Sequence, residues 1–222
     1  MPVDGLGPAL HALRKSPINL ITQVRRSILQ IASAVAQYPA SRARVHHIQS
    51  EQGEGSMSLL DITIDSRIHP LSVVEDIAAS NDLAFERSGE DEITIIAKGR
   101  FADYQLSFTW MPEIDALHLA CAFDLKIPEG RRAEVQRLVA LVNEQLWVGH
   151  FDLWTQSGLV MYRQALLLPG GLQATSAQCE VMLEGAMHAC ERYFPAFQFV
   201  VWAGKSASDA MAAAMFDTAG EA

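Results

Sequence analysis

The chain has 222 residues, of which 50% are hydrophobic and 19% are charged, so it can bury the core of one domain. Its 17 basic and 26 acidic residues give a formal charge of -9, which argues against nucleic acid as a partner. The three cysteines lack the short paired spacing of a disulfide framework or a structural zinc site, and they indicate a reducing cytoplasm. Since no apolar run approaches the roughly 20 residues of a membrane span, we expect a cytoplasmic protein for which a membrane partner is disfavoured.

Charge divides the chain into two unlike parts. Residues 1–56 hold six basic and three acidic residues, a charge of +3, whereas 57–222 hold eleven basic and 23 acidic residues, a charge of -12. Between Ser16 and Tyr38 the first part has apolar residues at helical spacing, namely Leu20, Ile21, Val24, Ile28, Ile31 and Val35. The pattern predicts one amphipathic helix, which we interpret as a packing or disordered helix rather than a membrane-surface helix.

The segment 41–56 is typical of a linker, and Met57 follows it directly. One interpretation is that Met57 is the initiator and that 1–56 is not part of the native protein; the other is that translation starts at Met1. We therefore divide the chain into a basic leader, 1–56, and an α+β domain, 57–222.

The first half of the domain predicts a helix followed by four strands. Pro70 suits the first position of a helix that ends near Asn81, and a hairpin of strands 83–87 and 92–97 follows. The strongest pattern is the alternation of apolar and polar residues over 102–110, repeated over 117–127. We expect two neighbouring antiparallel strands there.

The second half predicts two long helices around another hairpin. One helix opens at Pro128 and stops at Gly149, and the hairpin covers 151–156 and 159–168. A capping box at Thr175 and Gln178 begins the other helix, which the pattern ends at Pro195.

An extended segment at 197–202 and a terminal helix at 206–217 complete the prediction. The order α-ββββ-α-ββ-α predicts an α+β fold, in which helices pack on an antiparallel sheet of about five to six strands.

A phosphate-binding loop is excluded at Gly204-Lys205-Ser206. The motif needs a glycine five residues before Gly204, and Phe199 stands there. We expect a helix-capping turn instead.

The His and Cys pairs do not predict a nucleophile. His118 and Cys121 are three apart on a strand and face opposite sides, and His188 and Cys190 diverge on a helix. We interpret the cysteines as structural and predict neither catalytic residues nor a cofactor.

Aromatic residues cluster at a predicted helix-to-strand junction. We interpret Trp147, Phe151 and Trp154 as core, with the alternative that a ring lines a binding groove. His150 and Asp152 share a strand face, but no further ligand completes a metal site, so surface polar residues are favoured.

The second face of the two central strands is small or polar throughout. Such a face can be solvent-exposed or can accept a subunit or peptide at close approach. The candidate interaction face comprises Asp103, Gln105, Ser107, Thr109, His118, Ala120, Ala122 and Asp124.

Six short motifs carry a resemblance to a known family over residues 57–222. They are Arg67-Ile-His-Pro, Glu90-Asp-Glu-Ile, Phe108-Thr-Trp, Leu117-His-Leu-Ala, Asn143-Glu-Gln-Leu-Trp and Phe197-Gln-Phe-Val-Val-Trp. The sequence resembles the YbjN-like family of bacterial sensory transduction regulators. The resemblance implies a fold similar to type III secretion chaperones and subunits that often associate in pairs, with no defined catalytic residues.

The expected function is a non-enzymatic bacterial regulator or chaperone-like adaptor that binds an unidentified protein partner, as a homodimer. The alternative is a small-molecule-binding sensor or minor enzyme with a pocket near Trp147, His150 and Trp154.

Overall fold

The computed structural model describes residues 68–219, so the predicted leader helix, the linker and Met57 lie outside the described residues. The observed order of helices and strands agrees with the predicted one, apart from the segment 197–202. The elements are α1 Pro70–Ser80, β1 Ala84–Arg87, β2 Glu92–Lys98, β3 Asp103–Met111, β4 Ala116–Lys126, α2 Arg132–Asn143, β5 His150–Trp154, β6 Leu159–Leu167, α3 Ser176–Val201 and α4 Ala207–Ala219.

The strands form one open antiparallel sheet in the order β1-β2-β3-β4-β6-β5. The predicted central hairpin is confirmed, with Leu106 opposite Cys121 and a left-handed Asp115 (φ 49°) in the turn. After β4 the chain passes through α2 to the edge strand β5 and returns as β6, which pairs with β4. The α+β prediction is therefore confirmed.

The main core lies on one side of this sheet, which we call the inner face. Alternation places Tyr104, Leu106 and Phe108 there, and all three are buried. All four described helices contribute side chains to the same core. The opposite side, which we call the outer face, carries the intervening residues of each strand.

The predicted end of α3 at Pro195, and the extended segment after it, are wrong. The helix continues to Val201 because Phe197 and Val200 are fully buried on its inner side. The Phe197 ring lies 5.8 Å from that of Phe123 and 5.4 Å from that of Phe151. An internal proline costs about 3 kcal/mol, and burying large apolar side chains at about 1.5–3 kcal/mol each offsets that cost.

The helix predicted from Pro128 to Gly149 is shorter than expected. A 3-10 turn, Glu129–Arg131, precedes α2, and α2 ends at Asn143. The Asn143 side chain donates to the Phe151 carbonyl (3.1 Å) and accepts from the Phe151 amide (2.8 Å). This pair of bonds replaces the last helical turns with a closed loop.

Candidate interaction surfaces

All eight residues of the predicted interaction face lie on the outer face, as the strand registers require. Their exposure differs along the strands. Asp103 and Asp124 are exposed and Thr109 is half-buried. The central five are buried: Gln105, Ser107, His118, Ala120 and Ala122. The structure thus groups these residues, and their role in binding stays a prediction.

The outer face has an apolar cluster of its own. It consists of Ala120, Ala122, Leu159 and Met161, with Trp154 packed against it. Cross-strand pairing extends it as a row, since Met161 lies opposite Ala122, which lies opposite Gln105. Every residue in this cluster belongs to a strand, whereas the described helices contribute to the inner core.

A polar cluster lies beside these apolar residues on β4, β5 and β6. Arg163 donates through Nη1 to Asp152 Oδ2 (2.7 Å) and through Nε to His118 Nε2 (3.2 Å). His150 Nε2 lies 3.5 Å from the same Asp152 oxygen. Arg163 therefore links the predicted candidates His118 and His150 through one guanidinium and one carboxylate.

His118 is neutral at pH 7. Burial, with smaller contributions from Arg163 and His150, lowers its pKa to about 4, against the opposing effect of Asp152. Since Nε2 accepts a hydrogen bond, the neutral ring carries its proton on Nδ1. That atom is buried and has no hydrogen-bond partner among the described residues.

The sequence analysis missed Arg163. A signal was present, because Leu159, Met161 and Arg163 alternate on one face of β6 and only the last is charged. Arg163 contacts His118 and Asp152 because β6 pairs with both β4 and β5, and the hairpin pattern alone does not specify that arrangement.

A second surface is the loop of residues 144–149, which we call the tryptophan loop. The Trp147 side chain is 100% exposed and Val148 is 60% exposed. The prediction that Trp147 belongs to the core is wrong, whereas Phe151 is buried in it. Trp154 is half-buried, and it packs on the outer face.

Three contacts hold the tryptophan loop in place. Asn143 closes its base through the two bonds to Phe151. The Tyr162 hydroxyl donates to the Val148 carbonyl (2.9 Å). Gly149 has a φ of +70° and lies so close to the Tyr162 ring that a β-carbon would collide with it. The exposed indole is therefore carried by an ordered backbone.

The residues of the predicted ligand pocket are not gathered around one cavity. His150 and Trp154 are four residues apart on β5, a separation of about 13 Å. Trp147 contributes a fully exposed side chain rather than a wall. The pocket stays a prediction.

The cysteines occupy the core, as predicted. Cys121 and Cys190 are buried with their Sγ atoms 3.5 Å apart, and burial raises the pKa of Cys190 well above its usual value. Ser206 accepts a hydrogen bond from the Asp209 amide (3.2 Å), which confirms the predicted capping turn.

Within residues 68–219, no three His, Cys, Asp or Glu side chains converge as metal ligands, and no helix has the length and apolarity to cross a membrane.

Comparison with known proteins identifies the family. The model of the YbjN family, described as "Putative bacterial sensory transduction regulator", matches residues 70–199, more than half of the chain. The chain belongs to the YbjN family. A crystal structure described as "YbjN, a putative transcription regulator from E. coli" is similar with 8% sequence identity and a TM-score of 0.43, covering 57% of this YbjN-family chain and 90% of that chain. No curated protein matches the sequence.

Proposed function

We propose that this YbjN-family chain is a non-enzymatic regulatory adaptor that binds a protein partner through its tryptophan loop. The observation that carries the proposal is a fully exposed Trp147 on a loop whose backbone is fixed by hydrogen bonds from Asn143 and Tyr162. Exposed aromatic residues on ordered backbone are typical of protein-binding sites.

The energetics favour a binding role. Burying a large apolar side chain stabilises a complex by about 1.5–3 kcal/mol, and tryptophan is enriched among interface residues whose truncation costs about 2 kcal/mol or more. Ordering an exposed side chain on binding costs about 0.5–1.5 kcal/mol. The hydrogen bonds of Asn143 and Tyr162 already order the loop backbone, so less conformational entropy is lost when a partner binds.

The expected partner surface has an apolar pocket for the indole, surrounded by basic groups. Residues 57–222 carry a formal charge of -12, and Glu144 is exposed in the same loop as Trp147 and Val148. Such a charge slows encounters with acidic proteins and favours basic ones. A ring that points into solvent supports a protein partner better than the small-molecule alternative.

Capture from a bacterial lysate with the full chain tests this proposal when site variants are compared. We expect a protein that binds the wild type to be lost with Trp147→Ala and retained with Trp202→Ala. Trp202 is 67% exposed but lies after α3, so it is a matched control. Equal capture by both variants, or capture by none of the three proteins, would contradict the proposal.

A further inference from the structure

Two exposed apolar side chains lie beside the turn between β3 and β4. Ile114 belongs to that turn and is 42% exposed, and Leu167, the last residue of β6, is 64% exposed. Leu167 pairs with Ala116, the first residue of β4. The next amide, that of Leu168, donates to the Asp115 carbonyl (2.7 Å). Ile114 and Leu167 therefore lie at the same end of the sheet.

The tryptophan loop emerges at this end as well. β5 runs antiparallel to β6 with His150 opposite Arg163, so the residues before His150 lie towards the part of β6 that follows Arg163. The hydrogen bond between the Val148 carbonyl and Tyr162 keeps the loop beside β6. We call the four exposed apolar residues at this end of the sheet the end patch: Ile114, Trp147, Val148 and Leu167.

The position of the end patch favours recognition through side chains. The patch lies where strands begin and end, so it offers no strand edge to which an extended peptide could be added. An amphipathic helix binds instead through apolar side chains spaced three or four residues apart. The loop before β5 lies two inter-strand spacings, about 10 Å, from the start of β4, and two helical turns rise about 11 Å. A short helix can therefore contact the whole patch.

The charged residues around the end patch are acidic. Glu113 and Asp115 flank Ile114, Glu144 begins the tryptophan loop, and all three acidic residues are exposed. The segments 111–116, 144–149 and 164–173 contain no lysine or arginine. This border favours a basic ligand. It disfavours a second copy of the chain, which carries the same carboxylates, and an anionic membrane surface.

We infer, on the basis of the proposed function, that the partner presents a basic amphipathic helix to the end patch. The helix lies across the sheet end from Trp147 over Leu167 to Ile114. Its apolar side chains pack on these residues, and the indole lies between two of them that are one turn apart. Lysine or arginine side chains on its flanks pair with Glu144 and Glu113.

Photo-crosslinking with the full chain in bacterial cells, followed by mapping of the crosslinked peptides, tests this inference. A benzophenone amino acid replaces Trp147, Leu167 or Ile114 in separate variants. A fourth variant carries it at Trp202, which is 67% exposed and lies beyond the carboxyl end of α3, as the control.

We expect positions 147, 167 and 114 to form adducts with the same protein, and position 202 to form none. The attached partner residues should lie three, four or seven apart within one segment that contains lysine or arginine. An adduct at 147 without adducts at 167 and 114 would overturn the inference and leave the proposed function standing. Attachment to alternate residues of one segment, or an adduct of two copies of this chain, would also overturn it. The absence of an adduct at 147 would contradict the proposed function as well.

Charge reversal tests the basic character of the helix separately. Glu113→Lys and Glu144→Lys should each lower the adduct yield at position 167 by about threefold. Glu86→Lys, at an exposed residue of the edge strand β1, is the matched control and should leave the yield unchanged. Equal yields in all three variants would contradict a basic partner, whatever the result at Trp147.

Discussion

His118 sits in a part of the outer face that keeps its imidazole uncharged. Its pKa is lowered to about 4, mainly by burial. In the unfolded chain the pKa returns to about 6.5, so the unfolded state binds more protons between these values. The free energy of unfolding should therefore be fully retained above pH 6.5 and fall as the pH decreases towards 4.

His118→Gln should remove this part of the pH dependence. The wild type should lose about 3 kcal/mol between pH 6.5 and 4 through this group, and the variant should lose correspondingly less. Urea denaturation across that range measures the difference. His188→Gln is the control, because His188 is exposed on α3. Parallel pH profiles for the wild type and His118→Gln would show that His118 does not titrate as described.

In the tryptophan loop, the residue proposed to bind a partner differs from the residue that stabilises the fold. Tyr162→Phe removes the hydroxyl that donates to the Val148 carbonyl, and should lower the free energy of unfolding by about 1 kcal/mol. Trp147→Ala should change it by less than about 0.5 kcal/mol, because its side chain is fully exposed. Denaturant unfolding compares the two variants. A larger loss for Trp147→Ala would place its ring in the fold rather than on a binding surface.

At the scale of single residues, the period-two pattern predicted which side chains share the outer face but not what they contact there. Alternation correctly placed Gln105 and His118 on the same face of the sheet. The link from His118 through Arg163 to Asp152 depends on strand pairing over 45 and 11 residues of sequence. Trp147 was misplaced because an aromatic residue near a core helix usually packs inward, and local sequence does not reveal an exception.

At the scale of elements, the carboxyl end of α3 is capped from another part of the chain. Arg131 donates two hydrogen bonds to the Val200 carbonyl (2.8 and 2.6 Å) and one to the Lys205 carbonyl (2.9 Å). These carbonyls lie at or beyond the helix end, where a cation also opposes the helix dipole. The contact joins the start of α2 to the end of α3.

Arg131→Met should lower the free energy of unfolding by about 1–3 kcal/mol, because the Val200 carbonyl loses its partner. Arg137→Met, within α2 itself, is the matched control. Arg137 pairs with Glu134 at the surface with 70% of its side chain exposed, so the expected loss is at most about 0.5 kcal/mol. Thermal and urea unfolding measure both. Equal effects would mean that the α3 end does not depend on Arg131.

Local signals predicted where elements begin better than where they end. The capping box at Thr175 and Gln178 was predicted, and both of its hydrogen bonds are present. The rule that proline ends a helix failed at Pro195, where burial of Phe197 and Val200 in the core outweighs the local cost. The end of α2 at Asn143 depends on a contact with β5 that the helical pattern does not encode.

At the scale of the whole molecule, the three cysteines report on the inner core. Burial raises the pKa of Cys179 to about 11 and that of Cys190 well above its usual value. Because all three side chains are buried, a thiol reagent at pH 8 should react with none of them in the folded protein and with all three in denaturant. Absorbance after addition of an aromatic disulfide reagent gives the count. Rapid reaction of one thiol under native conditions would indicate that α3 opens from the sheet.

The fold class followed from the order of helices and hairpins, because those patterns are local. The strand order did not, because a hairpin pattern does not specify whether β5 or β6 pairs with β4. The same limit applies to the surfaces. The outer face was identified by its small residues, whereas the tryptophan loop became apparent only when the contacts of Asn143 and Tyr162 were known.

Site-specific photo-crosslinking in bacterial cells tests the proposed binding role most directly. A benzophenone amino acid replaces Trp147 in one variant of the full chain and Trp202 in the other, and both are irradiated at native expression levels. We predict a discrete covalent adduct with another protein for position 147 and none for position 202. The absence of an adduct at 147, or the same adduct at both positions, would contradict a binding surface centred on the tryptophan loop.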